Sequence, residues 1–180
     1  MTGLYPEFER ILLDEASIQQ RVAELAQEIS ADYRGQGSII LITILKGGFM
    51  FAADLARRLT IPHYMDFMAL SSYGSKSISG AVRILLDMRL DIYNKHVLVV
   101  EDIVDTGKTL EYLTVNLNAR RPASLKTCVL TRKPGDNRHV TVDYLGFEIP
   151  DVWVVGYGLD YAERHRTWPF IAELKPEAYS

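Results

Sequence analysis

Val97-Leu-Val-Val-Glu-Asp-Ile-Val-Asp-Thr-Gly-Lys-Thr-Leu110 is the stretch that decides the fold. Apolar residues run straight into two acids, Glu101 and Asp102. Two further apolar residues follow, and then a small polar turn, Asp105-Thr-Gly-Lys-Thr109. Beyond the turn, Leu110, Leu113 and Leu117 keep helical spacing. The order predicts a buried parallel strand, a tight turn and a helix start, an arrangement whose backbone N–H groups and helix dipole favour an anion. Vicinal carboxylates at a strand's end can also grip a sugar diol or help hold a divalent cation. Gly107-Lys108-Thr109 matches the last three positions of a nucleotide-triphosphate P-loop, but that motif needs a glycine where Asp102 stands. A carboxylate inside a phosphate cradle would repel the ligand, which excludes the P-loop.

Outward from this stretch, buried strands alternate with helices. Ile18, Val22, Leu25, Ala26 and Ile29 share one helical face, with Asp14 or Ser17 as its cap. Residues 39–45 form a nearly continuous apolar run, as expected of a strand buried on both faces. Lys46-Gly-Gly48 then turns into a helix carrying Phe49, Phe51, Leu55 and Leu59. Further strands are expected at 64–71, 82–87, 125–130 and 152–155. The fold class is therefore α/β: one domain over residues 1–180, with a central, mainly parallel sheet of about five strands and helices on both faces. A small hood is expected, contributed mainly by about residues 151–180, with the N-terminus as a second source. Ligands of such sheets lie at the C-terminal ends of the strands, where the polar segments fall.

The pattern acid-acid-x-x-acid-Thr-Gly-Lys-Thr at 101–109 closely resembles the phosphoribosyl-pyrophosphate (PRPP) motif of the purine phosphoribosyltransferases, nearest their hypoxanthine-guanine branch. Two more strings carry the resemblance, Leu45-Lys-Gly-Gly48 and Asp151-Val-Trp-Val-Val-Gly-Tyr-Gly-Leu-Asp-Tyr161, and it spans roughly residues 8–170. It implies a type I phosphoribosyltransferase fold and transfer of 5-phosphoribose from PRPP to N9 of hypoxanthine or guanine. The products are pyrophosphate and IMP or GMP, the reaction is purine salvage, and the cofactor is Mg2+.

The resemblance also implies roles. The turn from Asp105 to Thr109, including Lys108, binds the 5′-phosphate through N–H groups and the hydroxyls of Thr106 and Thr109, with Gly107 leaving room. Glu101 and Asp102 meet the ribose hydroxyls and Mg2+, and Asp105 is the general base or proton relay at the purine N7. Lys46 and Gly47 belong to the pyrophosphate loop, whose Leu45–Lys46 peptide is expected to be cis. Trp153 stacks on the purine, the Val154 backbone meets its edge, Asp160 coordinates Mg2+ and Arg166 faces pyrophosphate. Lys133 reads the purine O6, with Arg132 as the alternative. The Ser/Gly-rich segment 71–80 corresponds to a lid that keeps water from the reaction centre. A homo-oligomer, dimer or tetramer, is expected.

Each string also has a plainer reading: a glycine turn with a solvated lysine at 46–48, a core tryptophan at 153, an exposed hairpin loop at 71–80. Composition excludes more than it assigns. A chain of 180 residues, 48% hydrophobic and 24% charged, is an ordinary globular protein. A formal net charge of −3 gives no electrostatic reason for a nucleic-acid partner. No apolar run reaches the ~18 residues of a membrane span, and the N-terminus has no signal-peptide pattern. The one cysteine, Cys128, fits a reducing compartment and core packing, so a cytoplasmic location is expected. His63, His96, His139 and His165 have no metal-ligand spacing. An RNA-binding regulator on the same fold and an adenine or orotate transferase are the competing readings. Salt-dependent RNA binding would mark the first. The second tends to carry Ala-Thr-Gly or Thr-Thr-Gly in place of Asp105-Thr-Gly.

Overall fold

Val97, Leu98, Val99 and Val100 are all fully buried, at the centre of β5 (His96–Val104). The computed structural model of the chain describes residues 6–72, 82–135, 137 and 139–179. Around β5 the elements run β1 (Phe8–Leu13), α1 (Glu15–Asp32), β2 (Ile39–Leu45), α2 (Phe49–Ala56), β3 (His63–Ser72), β4 (Val82–Leu86), then α3 (Lys108–Asn118), β6 (Ser124–Arg132), β7 (Tyr144–Glu148), β8 (Val154–Val155) and β9 (Ile171–Leu174). The lid expected at 71–80 falls almost wholly outside the described residues.

The central sheet has six strands in the order β4-β3-β2-β5-β6-β7. β3, β2, β5, β6 and β7 are mutually parallel, and β4 is antiparallel to β3. The unit β2-α2-β3 steps toward one edge and β5-α3-β6 toward the other. Because both crossovers are right-handed, the two helices fall on opposite faces. The core divides accordingly. α1 and α2 cover Ile39, Leu41, Leu98, Val100 and Cys128, whereas α3 covers Ile40, Ile42, Ile44, Val97, Val99 and Val129. Burial pushes the Cys128 thiol well above its ordinary range, consistent with inert packing. Asp14 is the cap of α1: its carboxylate accepts from the Ser17 N–H at 2.8 Å.

One expected strand lies elsewhere. Residues 152–155 supply only the short β8, which does not join the central sheet, and the fifth parallel strand is β7, which lies outside the strands expected from sequence. β7 pairs with β6 alone, and a side chain at its Gly146 would run into the Leu130 carbonyl, so β7 has neither the length nor the apolar run that marks a central strand. A second, antiparallel sheet, β1-β9-β8, forms the hood. It packs Phe8, Val155, Ala172 and Leu174 against each other. A hydrogen bond from the Tyr157 hydroxyl to Asp54 of α2, 2.5 Å, ties this part to the main body.

Candidate active site

The chain reverses its direction of travel between β2 and β5, and in an open α/β sheet the crevice beyond that point is where a ligand fits. Here the crevice is walled by the Lys46-Gly47 loop on one side and by Glu101 and Asp102 on the other. The Leu45–Lys46 peptide is cis. The two walls touch: a Cβ on Gly47 would overlap the Asp102 carboxylate, so this position has no room for a side chain. Gly158 approaches the Gly47 carbonyl in the same way, bringing the hood string onto the loop.

Glu101 and Asp102 lie in the C-terminal half of β5, 7% and 8% exposed. Burial, reinforced for Glu101 by the neighbouring Asp102 charge, pushes the Glu101 carboxyl well above its ordinary range, and burial raises Asp102 as well. Asp102 is partly satisfied by the Ile103 N–H at 3.0 Å, whereas Glu101 Oε2 is buried with no hydrogen-bond partner among the described residues. A pair of adjacent buried acids with an orphaned oxygen is a receptor for hydroxyl donors or a hard cation.

β5 then gives way to a cavity of about 200 Å3 lined by residues 101–107, 109 and 110. Gly107 stands there with φ +80, the left-handed conformation that glycine adopts without penalty, and directly precedes α3. No side chain caps that helix start, so its N–H groups are available to an anion. Thr106 and Lys108 are exposed, and Thr109 is half-buried at the cavity wall.

A second cavity, about 270 Å3, opens beside the first and is lined by Asp102, Ile103, Asp105, Lys133, Trp153, Val154, Leu159 and Asp160. Asp105 lines both. Lys133 extends from the end of β6 with its ammonium 3.3 Å from Asp151 and 3.9 Å from Asp105. Arg132 points away into a separate recess, paired with Glu148 at 2.7 Å. Trp153 is 45% exposed, stacked on Tyr179 at 5.3 Å and met edge-on by Tyr161 at 5.5 Å.

Asp160 bonds Arg166 at 2.9 Å and accepts from the Glu163 N–H at 2.8 Å. Arg166 also donates to the Gly158 carbonyl at 2.9 Å, while its Nε is buried without a partner among the described residues. Lys46 pairs with Glu163 at 3.0 Å. No group of three or more His, Cys, Asp or Glu side chains converges on one point among the described residues. The acids expected to hold Mg2+ therefore occupy two places, Glu101–Asp102 and Asp160. None of the four histidines lines either cavity; His96 bonds Ser124, and His139 packs behind the turn, its ring 3.4 Å from where a Gly107 Cβ would lie.

Sequence reasoning left several neighbours without a role. Asp151 opens the Trp153 string, and its position two residues before Trp153 is a usable signal. Asn137, Glu163 and Tyr179 reach the site through the fold, with no local pattern to mark them.

Residues 10–162 match the family model for the phosphoribosyl transferase domain. The chain belongs to this family. It is 50% identical over 186 residues to a hypoxanthine-guanine phosphoribosyltransferase of Mycobacterium bovis, an alignment covering 98% of this chain and 91% of the relative. It also superposes, with a TM-score of 0.91 and 46% identity, on the Trypanosoma cruzi hypoxanthine phosphoribosyltransferase in complex with the product IMP, covering 97% of this chain and 98% of that one. A hypoxanthine-guanine phosphoribosyltransferase from Bacillus anthracis, 42% identical, superposes with a TM-score of 0.89 over 94% of this chain and 100% of its own. As in any phosphoribosyltransferase, the two substrates must meet at one carbon, and the two cavities meet here along Asp102, Ile103 and Asp105.

Proposed function

We infer that the chain transfers 5-phosphoribose from PRPP to N9 of hypoxanthine or guanine, releasing pyrophosphate and forming IMP or GMP in purine salvage. One observation carries the assignment of residues: Asp105 is shared by the anion turn and by the aromatic cavity holding Lys133 and Trp153. A 5′-phosphate seated on the N–H groups and hydroxyls of 105–109 directs the ribose toward Glu101 and Asp102. Their carboxylates take the ribose hydroxyls and, as negative charges, favour the cation that develops at C1′. Trp153 stacks on the purine and the Val154 backbone holds its edge, leaving the O6 to the Lys133 ammonium. Asp105 exchanges the proton at N7, worth on the order of 10²–10⁴-fold in rate.

Pyrophosphate leaves against the Lys46-Gly47 loop and Arg166, whose unpartnered Nε is a ready donor. Mg2+ fits the oxygen-only donor sets at Glu101–Asp102 and Asp160, where it would neutralise the pyrophosphate charge. Such an ion takes one or two carboxylates and completes its shell with water and substrate phosphate.

The protein acts, in this reading, as a cytoplasmic homo-oligomer, dimer or tetramer, without nucleic-acid or membrane partners. The buried, unpaired Cys128 accords with a reducing compartment. An apolar face on β3 and β4, with Met65, Phe67 and Leu85 exposed, supports self-association. No helix among the described residues is long and apolar enough to cross a membrane. The deciding experiment is a steady-state panel of hypoxanthine, guanine, xanthine and adenine with PRPP and Mg2+. Nucleotide should form with the first two and not with adenine. Absence of nucleotide from both 6-oxopurines would reject the assignment.

A further inference from the structure

β6 and the loop after it hold the acid segment by its carbonyls, one after another. The Thr131 hydroxyl, fully buried, donates to the Asp102 carbonyl at 2.9 Å. The Lys133 N–H donates to the Val104 carbonyl at 3.0 Å. Asn137, 2% exposed, completes the series: its Nδ2 donates to the Asp105 carbonyl at 2.6 Å and to the Lys133 carbonyl at 2.8 Å. A buried amide that spends both N–H groups on two active-site loops is not filling space, because an apolar side chain would leave both carbonyls without this donor.

We propose that Asn137 is a positioning residue that fixes the phosphate turn and the purine-reading lysine relative to one another. The proposal rests on the transferase reading of the site. The physical link is the peptide plane. In a trans peptide the C=O and the following N–H point in opposite directions. Holding the Asp105 carbonyl on the Asn137 side therefore turns the Thr106 N–H away from Asn137. Thr106 lines the turn's cavity and Asn137 does not, so that N–H faces the anion's side. The second bond anchors the backbone of Lys133, whose ammonium stands 3.9 Å from Asp105. Gly107 packs on the same residue; a Cβ there would lie 3.4 Å from the Asn137 Cβ. One side chain thus sets where the phosphate and the 6-oxo group sit with respect to each other, while touching neither substrate.

Three variants test this. Asn137→Ala removes both bonds, the isosteric Asn137→Asp sets a carboxylate against two carbonyls, and Asn137→Ser keeps one donor. Misplacing a reacting group by about 1 Å can cost on the order of a hundredfold. We expect kcat/KM for hypoxanthine to fall about ten- to a hundredfold in Asn137→Ala and further in Asn137→Asp, with Asn137→Ser intermediate. PRPP binding, titrated calorimetrically with Mg2+ and no purine, should weaken, and the hypoxanthine-to-adenine ratio should narrow. Hydrogen exchange across 105–109 should accelerate, a readout that needs no turnover. Lowered thermal stability with unchanged PRPP affinity, base ratio and exchange at 105–109 would overturn the proposal. If Asn137→Ala does not fold, the serine and aspartate variants decide by the same measurements. Failure of the wild type to form IMP would instead reject the transferase reading, and the exchange data would still judge Asn137.

Discussion

At the scale of single residues, Lys133 and Asp105 divide the work at the purine. A lysine ammonium has three donors and no acceptor. Asp151 and Asp105 flank it at 3.3 and 3.9 Å, and its side chain is only 12% exposed, so a purine reaching it must offer an acceptor. The 6-oxo group does. The 6-amino group of adenine would set donor against donor, at roughly 1–3 kcal/mol, or about ten- to a hundredfold in discrimination. Lys133→Ala should lower kcat/KM for hypoxanthine and guanine and narrow the gap to adenine. An unaltered hypoxanthine-to-adenine ratio would mean that O6 is read by another group. Asp105→Asn keeps the turn and removes the base. PRPP affinity should persist while kcat drops at least about tenfold, ~1.4 kcal/mol; equal kcat for both purines in the variant and the parent would take Asp105 out of the mechanism.

At the scale of elements, Asp54 of α2 joins three parts of the chain. It accepts from Gln19 of α1 at 2.8 Å and from Tyr157 of the hood at 2.5 Å, and Arg57 and Arg58 stand beside it. Burial alone would raise its carboxyl, but the bonds from Gln19 and Tyr157 and the two arginines outweigh burial and hold it below the ordinary aspartate range. A depressed carboxyl stabilises the fold above its unfolded value, and that contribution is lost as pH falls through the folded value. Asp54→Asn should therefore cost roughly 1–3 kcal/mol at neutral pH, and the difference should shrink as acid protonates the parent below the ordinary aspartate range. Urea unfolding followed from neutral into acid pH checks this, and a pH-independent difference would contradict it. The elements also differ in how legible they were in the sequence. β2, β5 and α1 announced themselves because burial on both faces, or on one helical stripe, leaves a periodic apolar trace. β1 and β9 did not, since their pairing is broken by register shifts at Phe8/Arg10 and Ile11/Leu13, and alternation fails there. The site was legible where chemistry demands particular residues in a row, as at 101–109. It was silent where residues distant in sequence, such as Asn137 and Tyr179, arrive through tertiary packing.

At the scale of the whole molecule, α1 and α2 do not extend over the β3–β4 side of the sheet. Met65 and Phe67 share one face of β3, paired with Leu41 and Thr43 of β2, and are 37% and 38% exposed; Leu85 of β4 is 63% exposed. An apolar sheet face of this kind in a folded protein calls for cover, and a second copy of the chain is the occupant we expect. Phe67→Glu should shift the mass measured by light scattering toward the monomer without changing the monomer's secondary structure; an unchanged assembly would place the contact elsewhere.

The chain has two tryptophans. Trp168 is packed between Phe8 and Phe170, away from the cavities, at 6.2 and 5.6 Å. Trp153 presents a partly exposed ring to the purine cavity and rests on Tyr179. The molecule thus carries its own optical probe. Addition of IMP should change the tryptophan emission through Trp153 alone, so Trp153→Phe should abolish the signal while leaving a ring to stack, and a signal that survived this exchange would have to come from Trp168.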